Sequence, residues 1–433
     1  MTPHRRRIAL AVLAAVLLGL TALVVLLPGE ATEPEAGGLI ILSGTDQSIG
    51  SQRERLVEEW NALHPDQPAT IVELPESADS QRSDMLARAQ SGDTGVDVYN
   101  LDATWTAEFA PHVLDLPDEA APEGEFLEGP LRSARFEGRL QAVPFNTDVG
   151  LLYYNEDLLE LVRPGGGPPA SWDVIEEDVE RLRQVAPGAT GFVGQLADYE
   201  GLVVNALEVV RGEGADVVDT DGGDHEGAVT LDEPALRGQV GESLARLRRI
   251  AEGPGGVPAT TESDATRVFG SGQALYMRNW PLADRTLRQP DESGRPPVPF
   301  GITALPRGAG LLGGQNLAVS AVSDQPETAR ELIEFLTSEE SQRTLMVDGG
   351  LLSTRSRPYR NPTGDPVVPL EGGTIEQVLQ QAGARPELVH YGRFSSTFRG
   401  IVDGVLRRGE SLTEDDDARL EDAVLGRITP AAG

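Results

Sequence analysis

LIILSGTDQSIGSQRERLVEEWNALHPDQPATIVELPESADSQRSDMLARAQSGDTGVDVYNL, residues 39–101, is the stretch that decides the fold class. Leu39–Leu42 is an apolar run of strand length. From Gly50 to His64, Leu56, Trp60 and Leu63 recur on one helical face, and Pro65 stands just beyond the end. Ala69–Leu74 is a second strand. Asp79 to Gln90 is a second helix, stopped at Gly92, and Val96–Leu101 is a third strand. This strand–helix series is βαβ in type, which predicts an α/β fold on a parallel sheet. Ligands of such sheets bind beyond the carboxyl ends of the strands. The Ser43–Ser48 and Asp102–Trp105 loops are therefore expected at one rim.

Upstream, residues 8–27 (IALAVLAAVLLGLTALVVLL) are uncharged and long enough to cross a bilayer as one helix. Arg5, Arg6 and Arg7 precede this run and Glu30, Glu33 and Glu35 follow it. The positive-inside rule then leaves residues 1–7 in the cytoplasm and sends the body out. Either the run stays as an anchor or it is a signal cleaved near Gly29-Glu30-Ala31. A linker spans 28–38.

Downstream, Gly150–Asn155 is a strand. Trp172 to Val185 is a helix with Ser171 as N-cap, and 199–211 is another. Ala215–Leu231 reads as a hairpin about an Asp/Gly turn, and its acidic residues lack the ligand spacing of a calcium loop. Ala235 to Ala251, Thr328 to Ser338 and Thr413 to Leu425 read as helices.

Composition closes several chemistries. The 433 residues contain no cysteine, and all 36 residues of the Lys+Arg total are arginine. Thiol nucleophiles, cysteine metal sites, Schiff-base lysines and phosphate-loop lysines are therefore excluded. A net charge of −33 argues against a nucleic-acid partner. Gly308, Gly310 and Gly313 match a dinucleotide-loop pattern but lead into the strand-like Gln315–Val319 rather than a helix. The five histidines show no metal-ligand pairing, and no hydrolase serine elbow is present. No metal or other cofactor is expected.

What remains is a set of carboxylates, amides, rings and one arginine at predicted strand ends and loops. That chemistry suits a ligand dense in hydroxyls with apolar C–H faces. The set is Asp46, Asp102, Trp105, Asp148, Tyr199, Glu200, Trp280, Asn316 and Arg385. Each has a plainer alternative: the aspartates as turn or cap residues, Trp280 as core, Tyr199 and Glu200 as a helix start, Arg385 as a surface ion pair.

These residues lie in stretches that resemble the extracellular solute-binding proteins of ABC sugar importers, the trehalose/maltose-binding type in particular. The similarity is carried by Leu56–Asn61 with His64-Pro65, by Gly95–Asp102 with Trp105, by Thr147–Asn155 and by Pro169–Asp173. It continues through Gln195, Tyr199–Leu202, Asn205 and Glu208, then Phe269, Gly272–Ala274, Asn279–Pro281, Gly313–Ser320 and Ala384–Pro386. The resemblance covers roughly 39–412. It implies a two-lobed periplasmic-binding-protein-like fold with a hinge. Lobe 1 would be 39–147 with 306–358, and lobe 2 would be 148–305 with 359–433. The chain would cross near Asn146–Gly150, Pro306–Gln315 and Arg357–Pro369. Asp46, Asp102 and Asp148 would accept sugar hydroxyls, Trp280 would stack on a ring, and Gly314 would bring its N–H to a hydroxyl. Glu200 and Arg385 would close from lobe 2. The implied function is binding of a di- or oligosaccharide and its delivery to ABC permease subunits, without catalysis. One departure is the missing lipid-anchoring cysteine, which leaves a membrane-tethered sensor or scaffold as the alternative.

Overall fold

The computed structural model describes residues 37–75, 77–219, 227–253, 255–290, 294–360 and 368–427. The run 8–27, most of the linker, His225 with the turn of the 215–231 hairpin, and part of the expected crossing at 357–369 lie outside the described residues. Among the described residues no helix is long and apolar enough to cross a membrane.

The βαβαβ series forms as the pattern of residues 39–101 predicts. It comprises β1 (Leu39–Gly44), α1 (Gln52–Leu63), β2 (Ala69–Leu74), α2 (Ala78–Ser91) and β3 (Val98–Asp102). Helix α1 buries Leu56, Val57 and Trp60, each buried apolar side chain contributing about 2 kcal/mol. Local polar bonds set its exit. Asn61 exchanges two hydrogen bonds with the backbone of Ala69, 2.6 and 3.0 Å, and the Trp60 indole donates to the Gln67 carbonyl at 2.9 Å. Strand β3 starts two residues later than the apolar run suggests. The Asp97 carboxylate takes the Ile40 N–H at 2.9 Å, so ladder pairing begins at Val98.

The remaining main strands are β4 (Val143–Val149), β5 (Leu151–Asn155), β6 (Thr190–Val193), β7 (Ala274–Asn279), β8 (Phe300–Ala304), β9 (Leu312–Val319) and β10 (Leu352–Ser353). One sheet has the order β10-β4-β9-β3-β1-β2 and the other β8-β5-β7-β6. The first sheet is parallel only across β3-β1-β2. Strand β9 is antiparallel to both β3 and β4, and β10 to β4. The expectation of a parallel sheet is thus corrected to a mixed one. The cause is connectivity: β4 leaves for the second sheet and β9 returns from it, so the two must run in opposite senses.

Each sheet carries its own core. One cluster packs Trp60, Tyr99, Phe109 and Phe145 around the first sheet. Another packs Trp172, Phe192, Phe394 and Phe398 around the second. A third, with Val149, Leu151, Leu312 and Leu352, lies where strands pass from sheet to sheet. Gly150 alone separates β4 from β5, and Leu305–Leu311 joins β8 to β9. The two passages are neighbours, since Val149 pairs with Leu312. The Asp/Gly hairpin closes as Val218–Asp219 against Ala228–Val229. Ser171 caps the Trp172–Val185 helix, accepting the Val174 N–H at 3.3 Å.

Candidate functional site

Arg385 joins the two lobes. Asp102 ends β3, at the carboxyl edge where the parallel strands lead. Its Oδ1 is fixed by the Thr104 N–H at 2.9 Å and the Thr104 hydroxyl at 2.8 Å, and accepts from Arg385 Nη2 at 2.7 Å. Glu200 opens helix α3 (Glu200–Gly212) of the second lobe and accepts from Arg385 Nη1 at 3.0 Å. Tyr391 and Ser395, one turn apart on a helix at Tyr391–Asp403, also donate to Glu200, Ser395 at 2.5 Å. The Arg385 segment is held in place by the second passage between sheets: Gly383 bonds Gly310 at 3.0 Å and Leu312 at 2.8 Å. Burial pushes the Glu200 carboxyl up, against the pull of Arg385, Ser395 and Tyr391. Burial also opposes the charge on Arg385, and Asp102 and Glu200 more than offset it. Two carboxylates around one planar fork are a geometry that arginine meets and lysine does not.

A second constellation adjoins it through Tyr199. The Tyr199 hydroxyl donates to Glu262 Oε2 at 2.6 Å, and the Trp280 indole N–H donates to Glu262 Oε1 at 3.3 Å. The Arg278 guanidinium covers one face of Trp280 at 3.8 Å from the ring centroid. Arg278 also forms a fully buried two-pronged pair with Glu208, 2.7 and 2.6 Å, and reaches Gln195 at 2.9 Å. Glu208 in turn accepts the Leu311 N–H at 3.1 Å. A Cβ on Gly150 would stand 2.0 Å from Glu208 Oε1. The buried pair therefore sits against both passages between the sheets. Asp148, at the end of β4, lies nearby: burial raises its carboxyl to about 7, with Arg278 opposing.

Four residues singled out from the sequence have partners within the protein. Asp46 accepts the Ser48 N–H and hydroxyl at 2.8 and 2.7 Å and the Glu54 N–H at 3.4 Å, so it caps the start of α1. Trp105 packs into the first-sheet core. Asn316 spends its amide on Thr106 and Ser133 within lobe 1, at 3.2–3.3 Å. Gly314 lies inside β9 with φ +119°, and a Cβ there would stand 2.2 Å from the Asn146 carbonyl oxygen. Its glycine is thus demanded by strand-to-strand approach. Its carbonyl accepts the Ala103 N–H at 3.0 Å, tying β9 to the Asp102 loop.

Residues outside that set also matter. Arg278 interrupts the apolar strand ALYMRN and Glu208 the apolar helix GLVVNALEVV, and a charge inside an apolar run is the signal that marks them. Arg53, 5% exposed, ties Ser43, Gly44 and Glu73 together beside Asp46. Between the lobes lies a narrow cavity with about 20 Å³ of water-accessible space, walled by Thr104, Asn146, Gly313, Asn316 and Arg385 among others. Most of its exposed surface is apolar. Among the described residues no group of three His or carboxylate side chains could hold a metal.

The model of the family described as bacterial extracellular solute-binding protein matches residues 44–343. A probable ABC transporter-binding protein of Deinococcus radiodurans is 28% identical over 361 residues, 78% of this chain and 81% of the relative. Maltose-bound MalE3 of T. maritima is 31% identical and superposes with a TM-score of 0.75 over 89% of this chain and 98% of its own. The GacH receptor of Streptomyces glaucescens, solved unliganded and with acarbose, is 22% identical. It shares the fold, with a TM-score of 0.71 over 91% of this chain and 100% of its own.

Proposed function

The chain belongs to the bacterial extracellular solute-binding protein family, and we propose that it binds a neutral di- or oligosaccharide between its lobes and delivers it to an ABC importer. Members of this family bind solutes and catalyse no reaction. The observation that carries the reading is the Asp102–Arg385–Glu200 bridge. It brings one carboxylate from each side onto a guanidinium that walls the cavity, and both kinds of group can bind hydroxyls. Tyr199 precedes Glu200 in the chain, Asp148 and Trp280 adjoin Gly313 of the cavity wall, and an indole suits stacking on a sugar ring. We assign the contacts to these six residues and to Asn316, which lies on the cavity wall. Similarity to a maltose-bound structure supports the choice of ligand class.

A cavity of about 20 Å³ is far below the ~300 Å³ or more of a small-molecule pocket. Ligand entry therefore requires the lobes to part, pivoting where Gly150 and Leu305–Leu311 pass between sheets. We take lobe 1 as 39–147 with 306–358 and lobe 2 as 148–305 with 359–433. We further propose that residues 8–27 tether the body outside the membrane.

A thermal-shift screen against neutral disaccharides tests the reading. A ligand at 100 times its Kd stabilises by about 2.7 kcal/mol. At least one sugar should raise the Tm of the wild type and leave that of Trp280→Ala unchanged. A flat response to every sugar, or an undiminished shift in the variant, overturns the reading or the site respectively.

A further inference from the structure

Two contacts away from the cavity also join the lobes. In the first, Asp79 and Arg82 of α2 face the Tyr391–Asp403 helix of lobe 2. Arg399 Nη1 donates to Asp79 Oδ2 at 2.6 Å, while its Nε pairs with Asp198 of its own lobe at 2.9 Å. Arg82 is held by both oxygens of Glu108, at 2.7 and 2.6 Å. It lies so close to Gly392 that a Cβ there would stand 2.2 Å from the guanidinium carbon. In the second contact, the Leu282–Leu287 helix of lobe 2 meets the end of the Glu339–Val347 helix of lobe 1. Arg285 donates to the Val347 carbonyl, at a helix C-terminus that favours a cation. Leu282 covers Gly350 beside Ile49: a Cβ on Gly350 would stand 3.0 Å from Leu282 Cδ1 and 3.7 Å from Ile49 Cδ1.

Each contact shares an element with the cleft. Tyr391 and Ser395, which hold Glu200, and Arg399 follow one another at four-residue spacing on one helix face. The Leu282–Leu287 helix begins two residues after Trp280. The first contact is also made to part. The buried residues of α2, Met85 and Ala89, pack into the first-sheet core, so the reach across the cleft falls to charged groups, with the Asp79 side chain 44% exposed. Separating such a pair returns both groups to water at small cost. With both contacts made, the cavity holds about 20 Å³, whereas a small-molecule pocket needs ~300 Å³ or more. Lobes closed around a solute must therefore stand farther apart than these contacts hold them. We propose that Asp79–Arg399 and Arg285–Val347 are two clasps that maintain a self-closed, solute-excluding form, so that clasps and solute compete for the cleft and the clasp residues set the affinity without touching the ligand. The carbohydrate reading above enters only in the choice of probe.

The test compares the full chain with Asp79→Asn, Arg285→Ala and the double variant. Asp79→Asn breaks the cross-lobe pair and spares Arg399–Asp198. Small-angle scattering gives the radius of gyration with and without sugar, calorimetric titration with maltose and trehalose gives affinity, and Tm checks folding. Without sugar, the double variant should have a larger radius of gyration than wild type. It should bind sugar more tightly, by about threefold for each clasp removed, because the apparent Kd falls as the competent fraction grows. Saturating sugar should raise the radius of gyration of wild type. A merely structural role for these residues would lower Tm and move neither radius nor affinity in this sense. Equal radii for wild type and double variant overturn the clasps, as does unchanged or weaker sugar binding by the double variant, or a fall in the wild-type radius on saturation. Absence of binding to both sugars by every protein overturns the carbohydrate reading instead. The sugar-free radii then still decide: a larger one in the double variant supports the clasps, and an equal one overturns them too.

Discussion

Arg385 and Asp148 carry most of the site's electrostatics, and each yields an expected outcome. Arg385 is nearly closed off from solvent and grips a carboxylate on each side. Removing one partner of a buried ionic group costs about 3–5 kcal/mol, because the remaining charges lose their compensation. Arg385→Ala should thus lower stability by several kcal/mol in denaturant titration. Arg385→Lys keeps the charge but not the fork. It should retain most stability while losing ligand affinity ten- to a hundredfold. Asp148 gives a pH signature. Its carboxyl titrates near 7 in the folded chain against an ordinary value of 3.8. The folded state therefore holds this proton between about pH 4 and 7, where the unfolded chain has released it, and stability falls as pH rises through that window. Asp148→Asn should match the wild type near pH 4 and exceed it by a few kcal/mol at pH 8. A difference that does not change with pH sinks the assignment. At this scale the sequence was informative about type but not about placement. Asp102, Glu200 and Arg385 carry the right groups, yet 283 residues separate the two ends of the Asp102–Arg385 bond, and spacing says nothing across such a span.

Among the elements, the first five were the most legible. Their boundaries follow from features within a few residues: the Leu56/Trp60 face, the Pro65 stop, the glycine C-cap at Gly92. The same holds for Trp172–Val185 with its Ser171 cap. Strand direction in β4, β9 and β10 was not legible, because those pairings join residues far apart in sequence. Gly313 and Gly314 read as part of a flexible crossing but lie in β9, where Gly314 allows the close approach to β4. The passage itself makes a testable element. Gly150→Ala would drive a methyl to 2.0 Å from Glu208 Oε1 and 2.7 Å from Arg278 Nη2. It should force the buried pair apart and destabilise by about 3 kcal/mol or more, read as a lowered denaturation midpoint. A midpoint equal to wild type would mean that the pair does not pack against the passage.

For the whole molecule, two sheets with separate cores meet at two adjacent passages braced by one buried Glu–Arg pair. A third core cluster lies at the same passages, so the proposed parting of the lobes would have to occur around it. The α/β class and a lobed body followed from length, the βαβ run and a distributed resemblance; the mixed sheet and the braced passages followed only from the coordinates. The absence of lysine, first an exclusion, fits a site built on a guanidinium fork. The proposed function rests on a neutral carbohydrate held between the lobes through Arg385. Calorimetric titration of wild type and Arg385→Lys with the sugar that gives the largest thermal shift tests it most directly. Wild type should give a saturable one-to-one isotherm, with a negative heat-capacity change as the lobes close, and the variant should lose at least tenfold in affinity. No saturable heat with any sugar, or equal affinity in the two proteins, would contradict it.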